Sequence, residues 1–484
     1  MKLSEIFTKP DPRLIETSAD FEFHGITDDS REAGHGVLFC LTAQGRPFAN
    51  HAFENGSILV LGPDESASTF ASRGWIRARS VPEFMGDVAA ALHGRPSERL
   101  SVVGVTGTNG KTSVSWMIYH IWKQAQIRSG LIGTLGVRYM TPAGEIQVKT
   151  GYTTPRSYQL QSLFADMMRA GVERVVMEVS SEALALGRLQ GTRFVAAAFT
   201  NFTRDHLDFH GTMENYFEAK KLLFASTAAN QGRLIVYDDS LDSEGYPSKM
   251  VAYARSLDPE TVILTRPIGE DAGSAIHENF PASFQRINLR IALEAAAFSK
   301  SEAQEFAKGL SDLPSVPGRF EPIALKSISR HADSIAVVDY AHTPDALLVL
   351  LKEARNRAEF VITICGCGGN RDPGKRPLMG EIGARESDLF IISDDNPRKE
   401  DPQEIRRQMR AGVRDVKGEV LEVADRRAAI RRGLEESGRR SEKCIVVVAG
   451  KGHETVQILA DRTEVFSDVE EVKLALAAIE RGGK

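Results

Sequence analysis

Cysteine is scarce in this chain, and no motif pairs the cysteines that it has. Four cysteines stand among 484 residues, at Cys40, Cys365, Cys367 and Cys444, which is too few and too scattered for a disulfide framework. Cys365 and Cys367 also lack the two-residue spacer of a zinc or redox pair. We therefore expect free thiols in strands or loops.

Long apolar runs and a large charge excess are also missing. No stretch reaches the roughly 18 apolar residues that a membrane helix needs, and the start, MKLSEIFTKPDPRLIE, lacks the apolar core of a signal peptide. We therefore expect a cytoplasmic protein without membrane insertion. The net charge of −5 argues against nonspecific binding to nucleic acid.

The composition is that of a globular protein, with 42% hydrophobic and 26% charged residues. A chain of 484 residues exceeds what one hydrophobic core supports, and its length predicts roughly three domains. Proline-containing junctions occur at HGRPSERL near residue 98 and at SDLPSVPGRF near residue 318. We therefore predict domains at 1–98, 99–319 and 320–484.

Short β-branched runs alternate with helical periods after residue 98, and again after residue 320. In the middle region the pattern predicts strands at 101–106, 174–179 and 194–199 and helices at 111–125 and 213–226. In the last region it predicts strands near 335–338, 360–365, 388–393 and 444–449. This alternation is typical of doubly wound α/β sheets with mostly parallel strands. The first region predicts a smaller α/β unit.

A glycine-rich turn joins the first of these strands to a helix in SVVGVTGTNGKTSVSW. In such a turn the loop amides and the helix N-terminus face a phosphate chain, while Lys111 adds a positive charge and the Thr112 hydroxyl can bind Mg²⁺. Val105 occupies the first glycine position of the general GxxxxGK[ST] pattern, so Gly107 and Gly110 give the shorter form TGTNGKT. Alone, the loop predicts only binding of a nucleoside triphosphate, because kinases, ATPases and ligases all use one.

Lys220 falls inside the apolar stripe of the helix in MENYFEAKKLLFAS, whereas Lys221 lies outside it. Burying an unpaired ammonium is costly, so burial favours the neutral amine. A neutral lysine can react with CO₂ to give a carbamate, which is an oxygen ligand suited to Mg²⁺. The alternative is a lysine whose stem packs in the stripe while its head reaches solvent.

Two further polar side chains follow strands. Glu178 ends the strand in VVMEVSS, and His206 comes soon after the strand that precedes TNFTRDHLDFHG. The C-terminal ends of strands in an open parallel sheet border the ligand crevice. We therefore predict a site for two Mg²⁺ ions formed by Thr112, Glu178, His206 and a carbamylated Lys220. His206 could equally brace its loop, since Mg²⁺ prefers oxygen ligands.

Ten sequence blocks, in order along the chain, resemble the Mur ligase family. They are TGTNGKT (106–112), YTTP (152–155), EVSS (178–181), FTNFTRDHLDFHG (199–211), YFEAKKLLF (216–224), VPGRFE (316–321), VVDYAHTPDAL (337–347), GCGGNRDPGKRPLMG (366–380), DDNPR (394–398) and AGKGHE (449–454). Because the blocks extend from about residue 100 to residue 460, a chance likeness is negligible.

The resemblance implies three domains: an N-terminal one for a UDP-sugar, a central P-loop ATPase and a C-terminal Rossmann-like one. It implies an ADP-forming ligase of peptidoglycan biosynthesis that uses ATP and Mg²⁺. ATP would phosphorylate the D-Glu γ-carboxylate of UDP-N-acetylmuramoyl-L-Ala-D-Glu, and an amine of meso-2,6-diaminopimelate would then displace phosphate. Phosphorylation supplies the leaving group that a carboxylate lacks, while Mg²⁺ and Lys111 offset the repulsion between two anions. We expect a monomer.

The resemblance also implies roles for individual residues. Those for the nucleotide are Gly107, Thr108, Asn109, Gly110, Lys111, Thr112, Asn288, Arg319 and Asp339. Those for catalysis are Lys111, Lys220, Glu178 and His206, and those for the metal are Thr112, Glu178, His206 and carbamylated Lys220. Those for the UDP-muramoyl dipeptide are Ser30, Thr153, Thr154, Ser180, Arg188 and carbamylated Lys220. Those for diaminopimelate are Arg371, Asp395, Asn396, Pro397, Arg398, Gly450 and Glu454.

The run SDDNPRKEDP, residues 393–402, is a turn after a strand that also offers charged and polar groups. Asp395 or Asn396 can accept hydrogen bonds from an ammonium, and Arg398 can bind a carboxylate through two parallel bonds. Diaminopimelate carries both groups at its distal end, whereas lysine lacks the distal carboxylate. Because an unpaired buried Arg398 is costly, we expect this run to select diaminopimelate.

Some positions depart from the family pattern. Glu182 stands where members usually have His after EVSS, and Leu186 stands where some relatives have a substrate-contacting Gln. The segments LFCLTAQGRPFAN and 227–283 are shorter than usual, and FQRIN keeps Asn288 but not the first Asn of FNxxN. Two alternatives stay open: a lysine-adding or folyl-polyglutamate ligase of the same superfamily, and a P-loop nucleotide-binding regulator without catalysis. The DNPR and EVSS blocks argue against the other two ligases.

Overall fold

The computed structural model describes residues 1–7, 13–65, 74–238, 245–268, 280–414 and 418–482. The described residues fall into two compact units. The first unit comprises Met1–Phe202, Phe209–Ile268 and Asn288–Leu310, and the second comprises Thr203–Asp208, Gly269–Ile287 and Ser311–Lys484. Two parts of the shortened region 227–283, residues 239–244 and 269–279, lie outside the described residues.

A five-stranded sheet in the first unit is formed near the N-terminus. Its strands are β1 Leu14–Thr17, β2 Gly25–Thr27, β3 Val37–Cys40, β4 Ile58–Leu61 and β5 Trp75–Ala78. They lie in the order β1-β5-β4-β3-β2, with β1 antiparallel to β5 and the other pairs parallel. The helix Val81–Leu92, capped by the Ser80 hydroxyl, buries Phe84 and Val88 in the same core as these strands.

An eight-stranded sheet also belongs to the first unit. Its strands are β6 Ser101–Thr106, β7 Ser129–Gly133, β8 Gly136–Thr141, β9 Gly144–Val148, β10 Arg174–Glu178, β11 Ala196–Phe199, β12 Arg233–Tyr237 and β13 Val262–Leu264. The order is β13-β12-β11-β6-β10-β7-β8-β9, and only β8 and β9 run antiparallel to their neighbours. Strands β7 and β10 lie on one side of β6, and β11 lies on the other. The C-terminal end of β6 is therefore a topological switch point, the place where open α/β sheets bind ligands.

A six-stranded sheet forms the core of the second unit. Its strands are β14 Glu321–Ala324, β15 Ile335–Asp339, β16 Phe360–Cys365, β17 Leu389–Ile392, β18 Glu419–Glu422 and β19 Cys444–Ala449. The order is β14-β15-β19-β16-β17-β18, and all pairs are parallel except β14 with β15. A separate antiparallel hairpin is formed by β20 Val456–Ile458 and β21 Thr463–Val465.

Helices connect the strands in both units. In the first unit they are Leu3–Ile6, Ala49–Glu54, Val81–Leu92, Lys111–Gln124, Ser157–Arg169, Ser181–Ala185, Met213–Ala229, Tyr246–Leu257 and Lys300–Ala307. In the second unit they are Pro344–Arg355, Lys375–Glu386, Pro402–Ala411, Arg426–Arg439 and Asp468–Gly482. Two further helices are Leu207–His210 and Ser283–Ala296, and the short 3₁₀ helices are Ser30–Glu32, Arg46–Phe48, Pro96–Glu98 and Leu310–Asp312.

The α/β fold class and the strand and helix positions predicted from the sequence are confirmed. The helix predicted at 213–226 extends to Ala229, and the strand predicted at 194–199 begins at Ala196. All four cysteines are free and buried. Within the described ranges, no helix combines the length and the apolar character that a membrane span requires. The domain boundaries at 98 and 319 stay predictions.

Candidate active site

The phosphate loop begins where β6 ends, at the switch point of the eight-stranded sheet. Gly107 and Gly110 have φ angles of +149° and +86°, a region that favours glycine. A Cβ atom on Gly107 would lie 1.9 Å from Thr200 Oγ1, and one on Gly110 would lie 2.7 Å from Asn288 Oδ1. The loop therefore needs both glycines, and it leads directly into the helix Lys111–Gln124.

Side chains from neighbouring segments hold the loop in shape. The Thr200 hydroxyl donates to the carbonyl oxygen of Asn109 at 2.5 Å, and the Asn109 amide donates to Asn201 Oδ1 at 2.9 Å. The hydroxyls of Thr108 and Tyr216 lie 3.1 Å apart. Because Thr200 and Asn201 directly follow β11, a second strand end supports the loop.

Two lysines donate to the same loop carbonyl. Lys111 Nζ donates to the carbonyl oxygens of Gly107 and Thr108, both at 2.8 Å. Lys220 Nζ donates to the Gly107 oxygen at 2.9 Å and lies 4.5 Å from the centroid of the Tyr216 ring. Because Lys220 is only 1% exposed, the alternative in which its head reaches solvent is wrong. Its carbamylation stays a prediction.

Glu178 ends β10 beside this loop. Its Oε2 accepts from the hydroxyls of Thr112 at 2.9 Å and Thr134 at 3.0 Å, and its Oε1 accepts from the Thr134 amide at 2.8 Å. A Cβ atom on Gly133 would lie 2.3 Å from Oε1, so the end of β7 needs a residue without a side chain. The hydroxyl and the carboxylate of the predicted metal site therefore lie together in a buried position.

The donor atoms of this pair are of the type that Mg²⁺ requires. Mg²⁺ is typically held by one or two protein oxygens together with waters and substrate phosphates, and Thr112 and Glu178 supply such oxygens. In the part of the chain that the structure describes, no three His, Cys, Asp or Glu side chains cluster to hold a metal. His206 belongs to the second unit, where its Nε2 lies 3.4 Å from Asp205 Oδ2. Its role as a metal ligand stays a prediction.

Four residues predicted to hold the dipeptide lie close to Glu178. Thr154 Oγ1 accepts from the Ser180 amide at 3.1 Å, and Arg188 Nη1 donates to the Thr154 carbonyl oxygen at 3.2 Å. Thr153 Oγ1 lies 3.1 Å from the hydroxyl of Thr134, which also bonds to the carboxylate. A substrate group held by this cluster would therefore lie near the predicted metal site.

Arg188 also lines a cavity of about 300 Å³ in the first unit. Polar and charged side chains in its lining include Asp28, Thr42, Arg46, Arg156 and Arg188. Ser30 begins the 3₁₀ helix Ser30–Glu32, and its contact with the UDP portion stays a prediction. Asp28, two residues earlier, lines the cavity. The cavity therefore presents several cations to an anionic substrate.

The departures at positions 182 and 186 both lie beside Arg188. Burial and the nearby Arg156 lower the pKa of Arg188, whereas the negative charge of Glu182 raises it. The charge of Glu182 therefore acts on the pKa of Arg188 in the direction opposite to that of Arg156. Leu186 lines the cavity together with Arg188.

Two predicted nucleotide residues lie near each other in the second unit. Asp339, at the end of β15, accepts from the amides of Phe320 and Ala341, both at 2.7 Å. Burial raises the pKa of the Asp339 carboxyl, although the charge of Arg319 lowers it. The Arg319 guanidinium lies 4.3 Å from the centroid of the Tyr340 ring, so its plane is held in place.

The DNPR run is bonded to the AGKGHE segment in the second unit. Asn396 Nδ2 donates to Glu454 Oε2 at 2.7 Å, while Asn396 Oδ1 accepts from Lys451 Nζ and from the Ile458 amide, both at 2.9 Å. Both lone pairs of the Asn396 side-chain oxygen are thus used within the protein. Asn396 therefore orients Glu454. The roles of Asp395, Asn396 and Glu454 towards diaminopimelate stay predictions.

Arg398 and Asp395 lie on the same turn. Arg398 has a φ of +54°, and its Nη1 donates to the carbonyl oxygen of Gly369 at 2.9 Å. A Cβ atom on Gly450 would lie 2.7 Å from Asp395 Oδ2, so only glycine fits beside this buried carboxylate. The remaining two residues of the predicted set are a buried Pro397 and an exposed Arg371.

Sequence reasoning missed two residues that organise these clusters. Lys451 is 0% exposed, and its Nζ also donates to Glu454 Oε2 at 3.0 Å and to the Val456 carbonyl oxygen at 2.8 Å. Its place within AGKGHE was a signal, but one residue in a loop does not reveal burial. Thr134 was missed because only the pairing of β7 with β10 brings it to Glu178.

Comparisons with known proteins identify the family. The family model for the Mur ligase middle domain matches residues 105–265. The family model for the Mur ligase glutamate ligase domain matches residues 318–452. A Solibacter usitatus protein named UDP-N-acetylmuramoyl-L-alanyl-D-glutamate--2,6-diaminopimelate ligase is 39% identical over 97% of this chain and 97% of its own length. The chain belongs to the Mur ligase family. The predicted enzyme class, an amide-forming ligase, is thereby confirmed.

Other Mur ligases support this assignment. A Bacteroides fragilis protein with the same name is 36% identical over 98% of this chain and 99% of its own length. A solved structure described by that name has a TM-score of 0.64 at 30% identity and covers 99% of both chains. A Mycobacterium tuberculosis folylpolyglutamate synthase complexed with ADP has a TM-score of 0.56 at 16% identity, covering 77% of this chain and 92% of that one. This last likeness concerns the fold alone.

Proposed function

We propose that this chain is an ADP-forming ligase that joins meso-2,6-diaminopimelate to the D-Glu γ-carboxylate of UDP-N-acetylmuramoyl-L-Ala-D-Glu in peptidoglycan biosynthesis. The observation that carries the proposal is the relative of that name, 39% identical over 97% of this chain. The phosphate loop beside Glu178 supports the ligase chemistry. The folyl-polyglutamate alternative is not favoured, because the similarity to that enzyme is limited to the fold at 16% identity.

ATP is the proposed phosphoryl donor. The amides of the loop from Gly107 to Gly110 and the N-terminus of the helix Lys111–Gln124 bind its phosphates, and Lys111 adds a positive charge. Arg319, Asp339 and Asn288 complete the proposed nucleotide set. Thr112, Glu178, His206 and carbamylated Lys220 would hold Mg²⁺, which would neutralise charge at the transferred phosphoryl group.

The protein itself orients the two organic substrates. Thr153, Thr154, Ser180 and Arg188 hold the muramoyl dipeptide so that its γ-carboxylate faces the phosphates. Asp395, Glu454 and Arg398 bind the distal ammonium and carboxylate of diaminopimelate, which leaves the other amine as the nucleophile. Such positioning provides a large part of the rate, because the amine then attacks the acyl phosphate within one complex.

We also propose a domain organisation, an oligomeric state and a cellular location for the chain. We assign the three domains to residues 1–98, 99–319 and 320–484, each of which contains one of the three large sheets. The protein acts as a monomer in the cytoplasm, where both the nucleotide and the nucleotide-linked substrate are available.

The test is an amino-acid-dependent release of phosphate. Purified protein is given ATP, Mg²⁺ and UDP-N-acetylmuramoyl-L-Ala-D-Glu, and phosphate release is expected only after diaminopimelate is added. A Lys111→Met variant, which lacks the charge at the phosphates, serves as the inactive control. Equal release with L-lysine contradicts the proposed specificity. No release with any amine favours the alternative of a nucleotide-binding regulator.

A further inference from the structure

The cavity of about 300 Å³ contains two neighbouring guanidinium groups, those of Arg156 and Arg188. They lie 6.0 Å and 5.5 Å from the centroid of the same ring, that of Tyr152. The positive charge of Arg156 contributes to lowering the pKa of Arg188, so the two like charges repel each other. An anion bound between the two groups would relieve this repulsion.

Asp28 holds Arg156 in one orientation. Asp28 Oδ1 accepts from Arg156 Nη1 at 2.5 Å, and Asp28 Oδ2 accepts from the Thr42 hydroxyl at 2.7 Å. The side chains of Asp28 and Arg156 are 3% and 15% exposed. Arg156 Nε is buried and has no hydrogen-bond partner among the described residues. Arg156 is therefore held at the cavity by its ion pair with Asp28, and part of its side chain stays exposed.

The rest of the cavity suits a ligand with an apolar part. Leu41, Val81, Met85 and Leu186 contribute apolar surface to its lining. The third cation, Arg46, is already paired with Glu65 at 2.7 Å. Arg156 is paired with Asp28 in the same way, and Arg188 completes the three arginines of the lining.

We propose that Arg156, together with Arg188, binds an oxyanion of the UDP-muramoyl dipeptide and so determines the affinity for this substrate. The inference rests on the proposed function. The oxyanion is a phosphate of the diphosphate or a carboxylate of the dipeptide, since a guanidinium binds either through two parallel N–H bonds. Asp28 is the positioning residue for Arg156.

The experiment measures binding by calorimetry without ATP and, separately, the KM of each substrate. Arg156→Leu is expected to weaken binding of UDP-N-acetylmuramoyl-L-Ala-D-Glu by about 30-fold. The KM values for ATP and diaminopimelate are expected to stay within about twofold, because those substrates do not touch Arg156. Arg156→Lys keeps the positive charge but cannot donate two parallel N–H bonds, so its affinity for this substrate is expected to be intermediate. Asp28→Asn is expected to weaken the same binding to a smaller extent.

Arg169→Leu is the matched control, because Arg169 is exposed at the far end of the helix that follows Arg156. Calorimetry with UDP and with UDP-N-acetylmuramate distinguishes the two oxyanions: weaker binding of all ligands indicates the diphosphate, and weaker binding of the dipeptide ligand alone indicates a carboxylate. Unchanged affinity of a folded Arg156→Leu variant for all three ligands overturns the inference. If the unaltered protein binds none of them, the proposed function itself fails.

Discussion

The hydroxyl of Thr112 donates a hydrogen bond of 2.9 Å to Oε2 of Glu178. Thr112 lies in the first turn of the helix after the phosphate loop, and Glu178 is the last residue of β10. The parallel pairing of β10 with β6 places Glu178 opposite Val105, just before the loop. Two residues far apart in sequence thus become neighbouring oxygen donors at the switch point of the sheet.

Thr112→Val tests whether this pair holds Mg²⁺. The substitution keeps the shape of the side chain but removes one oxygen ligand, so the Mg²⁺ concentration for half-maximal phosphate release is expected to rise by about tenfold or more. Ser113→Ala changes the next, also buried, residue and serves as the control. The metal role is contradicted if both variants show the Mg²⁺ dependence of the unaltered protein.

Lys220→Ala tests the carbamate. Lys220 is buried and its Nζ lies 2.9 Å from the loop carbonyl of Gly107, so a carboxylate-like group there would lie beside the phosphates. We expect kcat to fall by about 100-fold or more, and short carboxylic acids such as acetate to restore part of it by filling the space. Lys221→Ala, which removes a lysine paired with Glu218 at the surface, is expected to leave kcat unchanged. Full activity of Lys220→Ala would reject the carbamate.

Lys451→Met tests the orientation of Asn396. Without the ammonium, Asn396 Oδ1 loses one of its two donors, and the amide is free to rotate away from Glu454. The KM for diaminopimelate is therefore expected to rise by about tenfold, with little change in the KM for ATP. Lys399→Met, at an exposed position of the same run, is the control. Equal increases in both KM values would indicate a general structural effect instead.

These residues also show which features the sequence predicts. The burial of Lys220 follows from its place in a helical stripe, and the phosphate loop follows from local glycine chemistry. The Asp28–Arg156 and Asn396–Lys451 bonds join residues 128 and 55 positions apart, and no local period encodes such pairs. They depend on strand order and loop packing, which are properties of the folded chain. Such long-range bonds are therefore the part of the site that sequence reasoning cannot supply, whereas the meeting of Thr112 and Glu178 follows from the rule for parallel strand ends.

Arg398→Leu tests the selection of diaminopimelate over lysine. If Arg398 binds the distal carboxylate, its removal is expected to lower kcat/KM for diaminopimelate by about 100-fold and to leave that for lysine nearly unchanged. The ratio of kcat/KM for diaminopimelate to kcat/KM for lysine therefore decreases. Arg407→Leu removes an exposed arginine paired with Glu404 and is expected to keep the ratio. Equal losses with both amino acids would assign Arg398 to the shared part of the substrates.

His120 makes the stability of the protein depend on pH. Its ring lies 4.4 Å from the Trp116 ring and 5.3 Å from the Tyr119 ring, measured between centroids. Burial, with a smaller contribution from Lys123, lowers the pKa of His120 from 6.5 to about 4. Between these two values the unfolded chain binds a proton at this imidazole and the folded chain does not. The free energy of unfolding therefore falls as the pH decreases from about 6.5 to about 4.

His120→Gln is expected to reduce this loss of stability, because the amide does not titrate. Urea unfolding at pH 7.5, 5.5 and 4.5 gives the urea concentration at the midpoint of unfolding for each protein. The decrease in this concentration between pH 7.5 and pH 4.5 measures the effect. His51→Gln, which changes an exposed histidine, is expected to keep the fall seen in the unaltered protein. If His120→Gln loses stability as steeply as His51→Gln over the same interval, other groups cause the decrease. A shallower fall in His120→Gln alone assigns the difference to the uncharged imidazole that packs beside the two aromatic rings.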